Sequence, residues 1–207
     1  MRKITVALVI TLLFVALVTL TWWYWFQLPT VSHVEQDVIE AAIGQAPESS
    51  TAAVHILGYQ TLPTSFLCGG QNFDECINDF RKAAKTRESA FREALEDFIE
   101  KNQSKVELRF GRKLPENTRL LDARTLRRLK AVKGGNFYPG FYQLYPLSKG
   151  IVSVSRPGLD RQATTAIIAV DQTAGPLSAI GSIRIFRYVG GQWVLQERDY
   201  FGPSWIS

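Results

Sequence analysis

Residues 150–207 read GIVSVSRPGLDRQATTAIIAVDQTAGPLSAIGSIRIFRYVGGQWVLQERDYFGPSWIS, and this stretch decides the fold. Short runs rich in β-branched residues alternate here with turn residues, which is typical of strands that pair with their sequence neighbours. The pair Gly190-Gly191 is a hairpin signal between the last two runs. The stretch therefore predicts an antiparallel β-meander of four strands: 151–155, 163–170, 179–188 and 193–197.

The chain before this meander supplies helices that we expect to cover it. The strongest is 73–102, where apolar residues recur at helical spacing, Asn72 is the predicted N-cap and Arg87 marks a bend. Its aromatic stripe either packs on the sheet or lines a ligand cavity. Two shorter helices are predicted at 34–43 and at 123–132, the second with Asp122 as N-cap.

Three further segments are less regular. Residues 52–57 and 106–110 alternate weakly and are predicted as strands, the first at a sheet edge. Residues 134–149 are rich in aromatic residues and proline, without helical or strand period, and either close the core or rim a pocket. The fold class is thus α+β, with helices packed on a C-terminal antiparallel meander. At fold level this resembles the cone-shaped domains of the nuclear-transport-factor type, which often hold a small ligand.

Residues 4–26 form an apolar run long enough to cross a bilayer as a helix. Arg2 and Lys3 precede it, which favours a cytoplasmic N-terminus, and the four aromatic residues at its far end suit the headgroup region. Threonines are its main polar residues, and their hydroxyls are expected to bond backbone carbonyls: Thr5, Thr11, Thr19 and Thr21. A cleaved signal peptide is the alternative, but aromatic residues stand where its cleavage site requires small ones.

This run predicts a single-pass protein of the bacterial inner membrane. Residues 1–28 are the cytoplasmic tip and transmembrane signal anchor, 29–51 a tether with a short helix, and 52–207 an α+β domain on the periplasmic or extracellular side. Cys68 and Cys76 would then lie in an oxidising compartment, where two such cysteines can pair. Free thiols are the alternative, and no histidine lies near enough for a metal site.

The net charge of +5 is unevenly distributed. Residues 104–207 carry 16 Lys+Arg against 7 Asp+Glu, whereas residues 1–103 carry 8 against 12. Either an acidic helical layer lies on a basic sheet, or a basic face meets an anionic partner. The helix 123–132 is the most basic element, and its cations are either a solvated face or a site for anionic headgroups. No nucleic acid is expected, because no basic-aromatic arrangement accompanies them.

The pattern S-R-x-G-L-D-x-x-x-T-x-A, followed by G-x-W-x-L and a terminal W-I-S, resembles an uncharacterised bacterial family of exported or lipid-anchored proteins. The residues that carry the resemblance are Ser155, Arg156, Gly158, Leu159, Asp160, Thr164, Ala166, Gly175, Gly181, Trp193, Trp205, Ile206 and Ser207. Pro157 departs from the pattern, since such proteins usually carry a small aliphatic residue there. The resemblance implies export and a shared fold, and it brings no catalytic residue with it.

Candidate binding residues are Ser155, Arg156, Asp160 and Tyr142. Arg156 either pairs with Asp160 across the Pro-Gly turn, holds the Ser207 carboxylate, or contributes with Ser155 and Asp160 to a ligand site. The sequence contains no G-x-S-x-G, H-E-x-x-H or phosphate-loop motif, so it leans away from catalysis, and no cofactor is predicted. We expect a module that binds an envelope protein or a small ligand. The alternatives are an enzyme with a carboxylate-based site and a structural envelope component.

Overall fold

The computed structural model describes residues 15, 16, 19, 31–44, 54–68, 72–131, 137–176 and 178–198. The chain separates into two compact units, Met1–Thr30 and Val31–Ser207. In the first unit, the Thr19 hydroxyl donates to the Val15 and Ala16 carbonyls at 2.9 Å, as predicted for this threonine. The rest of the predicted anchor lies outside the described residues. Among those described, no helix is both long and apolar enough to span a bilayer.

The second unit is built from six helices and seven strands within the described residues. In chain order they are α1 His33–Gly44, β1 His55–Gly58, α2 Thr64–Leu67, α3 Phe73–Ala84, α4 Ser89–Lys101, β2 Thr118–Leu121, α5 Ala123–Lys130, α6 Phe137–Leu144, β3 Ile151–Val154, β4 Gly158–Leu159, β5 Thr165–Gly175, β6 Ser178–Val189 and β7 Gln192–Arg198. The α+β class is confirmed.

The strands form one mixed sheet in the order β2-β1-β3-β5-β6-β7, with β4 also pairing with β5. The antiparallel part, β3-β5-β6-β7, is the predicted meander, and its last hairpin turns at Gly190 and Gly191, both at positive φ. Strands β1 and β2 extend it by parallel pairing. The predicted edge strand 52–57 is therefore an interior strand, covered by β2 on one side and β3 on the other.

A β-bulge separates β3 from β4 along the same edge of β5. Val154 pairs with Val170, whereas Gly158 pairs with Ile167, so the bulged strand advances four residues while β5 advances three. One extra residue reverses the faces to which successive side chains point. The bulge falls at 155–157, within the block that carries the predicted binding residues.

Helix α1 covers one face of the sheet, and we call this layer the α1 core. Val38, Ile39 and Ala42 of the helix are fully buried. They pack with strand residues Leu57, Val152, Val154, Ala166, Ile168, Val170, Phe186 and Trp193. Helix α1 is part of this core and of the compact unit that begins at Val31.

Helices α3 and α4 cover the opposite face, forming the α4 core. Phe80, Phe91, Leu95 and Phe98 pack there against the sheet, on strand residues Ile167, Ala169, Ile183 and Ile185. Gly158 lies directly under α4, since a Cβ at this position would collide with the Ala94 carbonyl oxygen and the Phe98 backbone. The aromatic stripe therefore packs on the sheet.

The predicted single helix 73–102 is two helices, α3 and α4, separated at Lys85–Glu88. Asn72 caps α3 as predicted, accepting from the Asp74 and Glu75 amides. At the break, Arg87 forms an ion pair with Glu197 of β7 at 2.5 Å, and its guanidinium lies 5.5 Å from the Phe91 ring centroid. These long-range contacts stabilise the break at the position where the apolar stripe is interrupted.

A third cluster, the α6 core, lies over β1, β2 and β3. Phe141 is fully buried between Ile56, Leu121 and Leu129. The aromatic residues of 137–145 close the core, one of the two predicted alternatives, but they do so from a helix that the sequence pattern did not indicate. Its Pro139 falls in the first turn, where backbone amides have no helical acceptor. The strand predicted at 106–110 is not formed. These residues make only isolated bridges, at Glu107 and Phe110.

Candidate functional site

Ser155 lies in the bulge and repairs the sheet ladder there. Its amide donates to the Ala169 carbonyl at 2.9 Å, and its hydroxyl accepts from the Ala169 amide at 2.9 Å. The side chain is fully buried. The hydroxyl thus takes the place of the carbonyl that the bulge displaces, which is a positioning role within the fold.

Arg156, the next residue, reaches the first turn of α1 and binds Glu35. Its Nη2 atom lies 2.9 Å from Glu35 Oε1 and 3.2 Å from Oε2. The Lys101 ammonium approaches the same carboxylate at 3.2 Å and Asp97 at 2.6 Å. Two carboxylates and two cations therefore form one ion network, with Glu35 only 2% exposed at its centre.

The network keeps Glu35 ionised. Burial by itself would raise the pKa of this carboxyl, but the Ser32 amide donates to it at 2.8 Å, and Lys101 and Arg156 add positive charge. The result is a pKa below the ordinary value. A proton donor for catalysis needs the opposite shift, so Glu35 acts here as a charged anchor.

Asn102 completes the arrangement by holding the Arg156 backbone. Its side-chain carbonyl accepts from the Arg156 amide at 2.7 Å, and its amide donates to the Arg156 carbonyl at 2.8 Å. The Arg156 Nε is buried and has no acceptor among the described residues. Glu35 was in none of the three predicted arrangements for Arg156, and Ser207 lies outside the described residues.

Asp160 organises the turn that leads into β5. Its carboxylate accepts from the Thr164 amide at 2.7 Å, the Thr165 amide at 2.5 Å and the Thr164 hydroxyl at 3.0 Å. Ala163 within this turn has a φ of 51°, a left-handed conformation that these bonds stabilise. Asp160 therefore holds its own loop, and Arg156 is bound elsewhere.

An acidic groove of about 630 Å³ runs between α4 and this turn. Four of its carboxylates already have donors from the chain itself. They are Glu93 with the Arg161 amide, Glu96 with Arg81, Asp97 with Lys101 and the Leu159 amide, and Asp160 with its own turn. Glu96 and Asp97 pair with cations, and the hydrogen bonds of Glu93 and Asp97 to backbone amides join α4 to the β4–β5 turn.

Tyr142 lies apart from the other predicted residues, on α6. Its hydroxyl donates to the Ala174 carbonyl at 2.8 Å, at the far end of β5 from Asp160, and burial raises its pKa. Phe91 belongs to the α4 core, so Phe91 and Tyr142 do not line a common pocket. A cleft of about 210 Å³ beside β1 and α5 is smaller than typical ligand sites of roughly 300–1,000 Å³.

Cys68 and Cys76 form the predicted disulfide, with Cα atoms 5.7 Å apart. Both cysteines are buried in the α4 core, at the end of α2 and in the first turn of α3. The bond therefore fixes the entry to α3 against the rest of the helical layer.

Three residues of the ion network, Glu35, Asp97 and Lys101, were missed at the level of sequence. A local signal exists for the first, because Ser32-His33-Val34-Glu35 fits the S-x-x-E capping box. The structure shows this box, with the Glu35 amide donating to the Ser32 hydroxyl at 3.2 Å and the Ser32 amide donating to Glu35. Asp97 and Lys101 are oppositely charged at i and i+4 on α4, a local signal for their mutual contact but not for the contact of Lys101 with Glu35.

Within the described parts of the chain, no three His, Cys, Asp or Glu side chains come together as metal ligands. The chain matches no family model, no curated protein and no solved structure. The resemblance of the C-terminal block to exported bacterial proteins therefore stays a prediction.

Proposed function

We propose that this chain is a single-pass membrane protein whose extracytoplasmic domain is a protein-interaction module of the bacterial envelope. Residues 4–26 anchor it, with the N-terminus in the cytoplasm. The observation that carries the proposal is the Cys68–Cys76 disulfide in the unit that follows the apolar run. Disulfides persist in oxidising compartments and are rare in the cytosol, so the bond and the run support the same topology.

The packing of the sheet favours binding at a surface over binding in a cavity. Both faces are covered, and Phe98, Phe141 and Phe186, one from each of the three cores, are fully buried. A cone-shaped domain that holds a small ligand needs a hollow concave face. Here α3 and α4 fill that space, which supports a protein partner over a small ligand.

The β6–β7 hairpin is the surface best suited to such a partner. Its apolar side chains Tyr188, Val189 and Val194 are 49%, 58% and 40% exposed. Strand β7 pairs only with β6 among the described strands. An edge strand with apolar side chains can accept an extended segment of another protein by strand addition.

The oxidation state that the two cysteines have in cells tests the topology. A maleimide polymer added under denaturing conditions should leave the full chain unmodified until a reductant is present, whereas a matched variant lacking 4–26 should react directly. The full chain should also stay in the membrane fraction after an alkaline carbonate wash. Free thiols in the full chain, or its release by the wash, would overturn the proposal.

Photo-crosslinking in membranes tests the interaction. A photoreactive residue at Val194 should give an adduct of defined mass, and Val189→Asp should abolish it because a carboxylate resists burial in an apolar interface. The same probe at the exposed Ile180, which pairs with Gln172 toward the opposite end of β6, serves as the matched control. Equal adducts from both positions, or an adduct unaffected by Val189→Asp, would contradict the assigned surface.

A further inference from the structure

Strand β2 and helix α5 present five cations that we call the basic surface. They are Arg119, Arg124, Arg127, Arg128 and Lys130. All five are exposed, and none forms an ion pair within the described residues. The nearby carboxylate of Asp122 is occupied as the N-cap of α5, accepting from the Thr125 amide at 2.8 Å.

Elsewhere in the unit, cations of the basic C-terminal half do find carboxylates of the helical half. Arg112 pairs with Asp37, Arg156 with Glu35, and Arg187 with Glu88. Internal pairing therefore explains part of the charge asymmetry seen in the sequence. Among the described residues, the basic surface groups five cations on two neighbouring elements without such a pair.

The fold gains little from concentrating charge on α5. Arg124 and Arg128 are like charges at i and i+4, a spacing that destabilises an isolated helix. Residues of the last turn gain from the helix dipole, but Arg124 stands in the first turn, where the dipole disfavours a cation. An anion outside the chain would compensate both effects.

Exposed apolar side chains lie on and just after α6, the helix that packs against α5. Leu144, the last residue of α6, and Leu147 are 58% and 65% exposed. Helices α5 and α6 pack together in the α6 core, and a Cβ on Gly140 would lie 3.4 Å from Leu129 Cδ2. Leu144 lies one helical turn after Gly140, so the helix that carries it is in contact with the helix that carries four of the five cations.

We propose that the basic surface and the leucine pair, Leu144 and Leu147, dock on the anionic lipid headgroups of a bilayer. Arginine and lysine side chains bind headgroup phosphates, and leucines enter the boundary between headgroups and acyl chains. An acidic protein would satisfy the cations but has no need of two exposed leucines. The proposal rests on the proposed function, which places the unit beside a membrane.

A fluorescent probe in nanodiscs tests this docking with the full chain. Gln143 is exposed next to Leu144, so Gln143→Cys is labelled with an environment-sensitive dye while Cys68–Cys76 stays oxidised. Gln162→Cys carries the same dye at the opposite end of β5. In discs containing phosphatidylglycerol the dye at 143 should shift to the blue and brighten, whereas the dye at 162 should not. Neither should respond in pure phosphatidylcholine.

Charge variants measure how much the cations contribute to docking. Arg124→Gln/Arg128→Gln should lower the ratio of docked to undocked protein about tenfold or more. Lys85→Gln/Arg161→Gln removes the same charge from exposed positions elsewhere and should leave the ratio unchanged. Raising the salt concentration should also release the docked state, because exposed charges are screened.

Three results would overturn the proposal. They are no dye response to phosphatidylglycerol, equal responses at 143 and 162, or a response to added polyglutamate but not to phosphatidylglycerol, which assigns the surface to an acidic protein. Failure of the underlying topology is recognised separately. In that case the full chain does not insert into nanodiscs at all, whereas failed docking leaves an inserted protein with a silent dye.

Discussion

Arg156 Nη2 lies 2.9 Å from Glu35 Oε1, and this pair joins residues 121 positions apart in the sequence. Glu35 belongs to α1 on one face of the sheet, and its second cation, Lys101, belongs to α4 on the other. The ion network therefore ties both helical layers to the bulge at the sheet edge. Because Glu35 is buried, breaking the network should lower the free energy of unfolding by a measurable amount.

Glu35→Gln should lower the free energy of unfolding by about 3 kcal/mol, because it leaves two cations without their buried carboxylate. Glutamine can still accept from the Ser32 amide, so the helix cap is retained. The control is Glu88→Gln, whose carboxylate is 74% exposed in its pair with Arg187 and should cost less than about 0.5 kcal/mol. Urea unfolding at neutral pH measures both, and similar small losses would show that the network does not stabilise the fold.

The same carboxylate should make stability depend on pH in acid. The pKa of Glu35 in the folded protein is below its ordinary value of 4.5, so the unfolded chain binds a proton more readily. Its stabilisation is complete above pH 4.5 and is lost as the pH falls through the folded pKa. The difference in unfolding free energy between wild type and Glu35→Gln should therefore shrink as the solution is acidified. A difference that grows would contradict the assigned shift.

Gly158→Ala should destabilise the unit by about 3 kcal/mol, since the added methyl meets the backbone of α4, which cannot rotate away. Gly44→Ala is the matched control, because a Cβ at Gly44 has no neighbour within 4 Å. Denaturant midpoints of the two variants should differ clearly. If Gly158→Ala kept the wild-type midpoint, the packing of α4 on β4 would be in doubt.

The Cys68→Ser/Cys76→Ser variant should lose about 2.5 kcal/mol, the value that loop entropy gives for so short a ring. The bond closes eight positions of sequence, and both sulfurs are buried in the α4 core. Wild type unfolded in the presence of a reductant should match the variant. A variant as stable as the oxidised wild type would show that the bond contributes nothing to folding.

Features that depend on residues close together in the sequence could be predicted from the sequence. Asn72 and Asp122 cap their helices as predicted, and the Gly190-Gly191 turn joins the last two strands. The features missed depend on distant residues. The parallel pairing of β1 with β2 is set by burial in the sheet, and α6 forms because Phe141 fills a core made by Ile56 and Leu121.

The candidate site likewise combines features that the sequence indicated with a contact that it did not. Sequence singled out Ser155, Arg156 and Asp160 as candidate binding residues, and in the structure each bonds to other parts of the fold, Arg156 to Glu35 and not to Asp160. The partner of Arg156 was missed because an ion pair between segments 121 positions apart leaves no local spacing to recognise.

The bulge at 155–157 also limits how this chain can change. Because it reverses the side-chain alternation, Val154 faces α1 while Gly158 faces α4, so a single edge of β5 supplies two different cores. Deleting one residue between Val154 and Gly158 would shift the strand by one position. A residue with a side chain would then face the α4 backbone in place of Gly158. Insertions and deletions are therefore expected in other loops of homologous chains, but the count of residues between these two positions should stay constant.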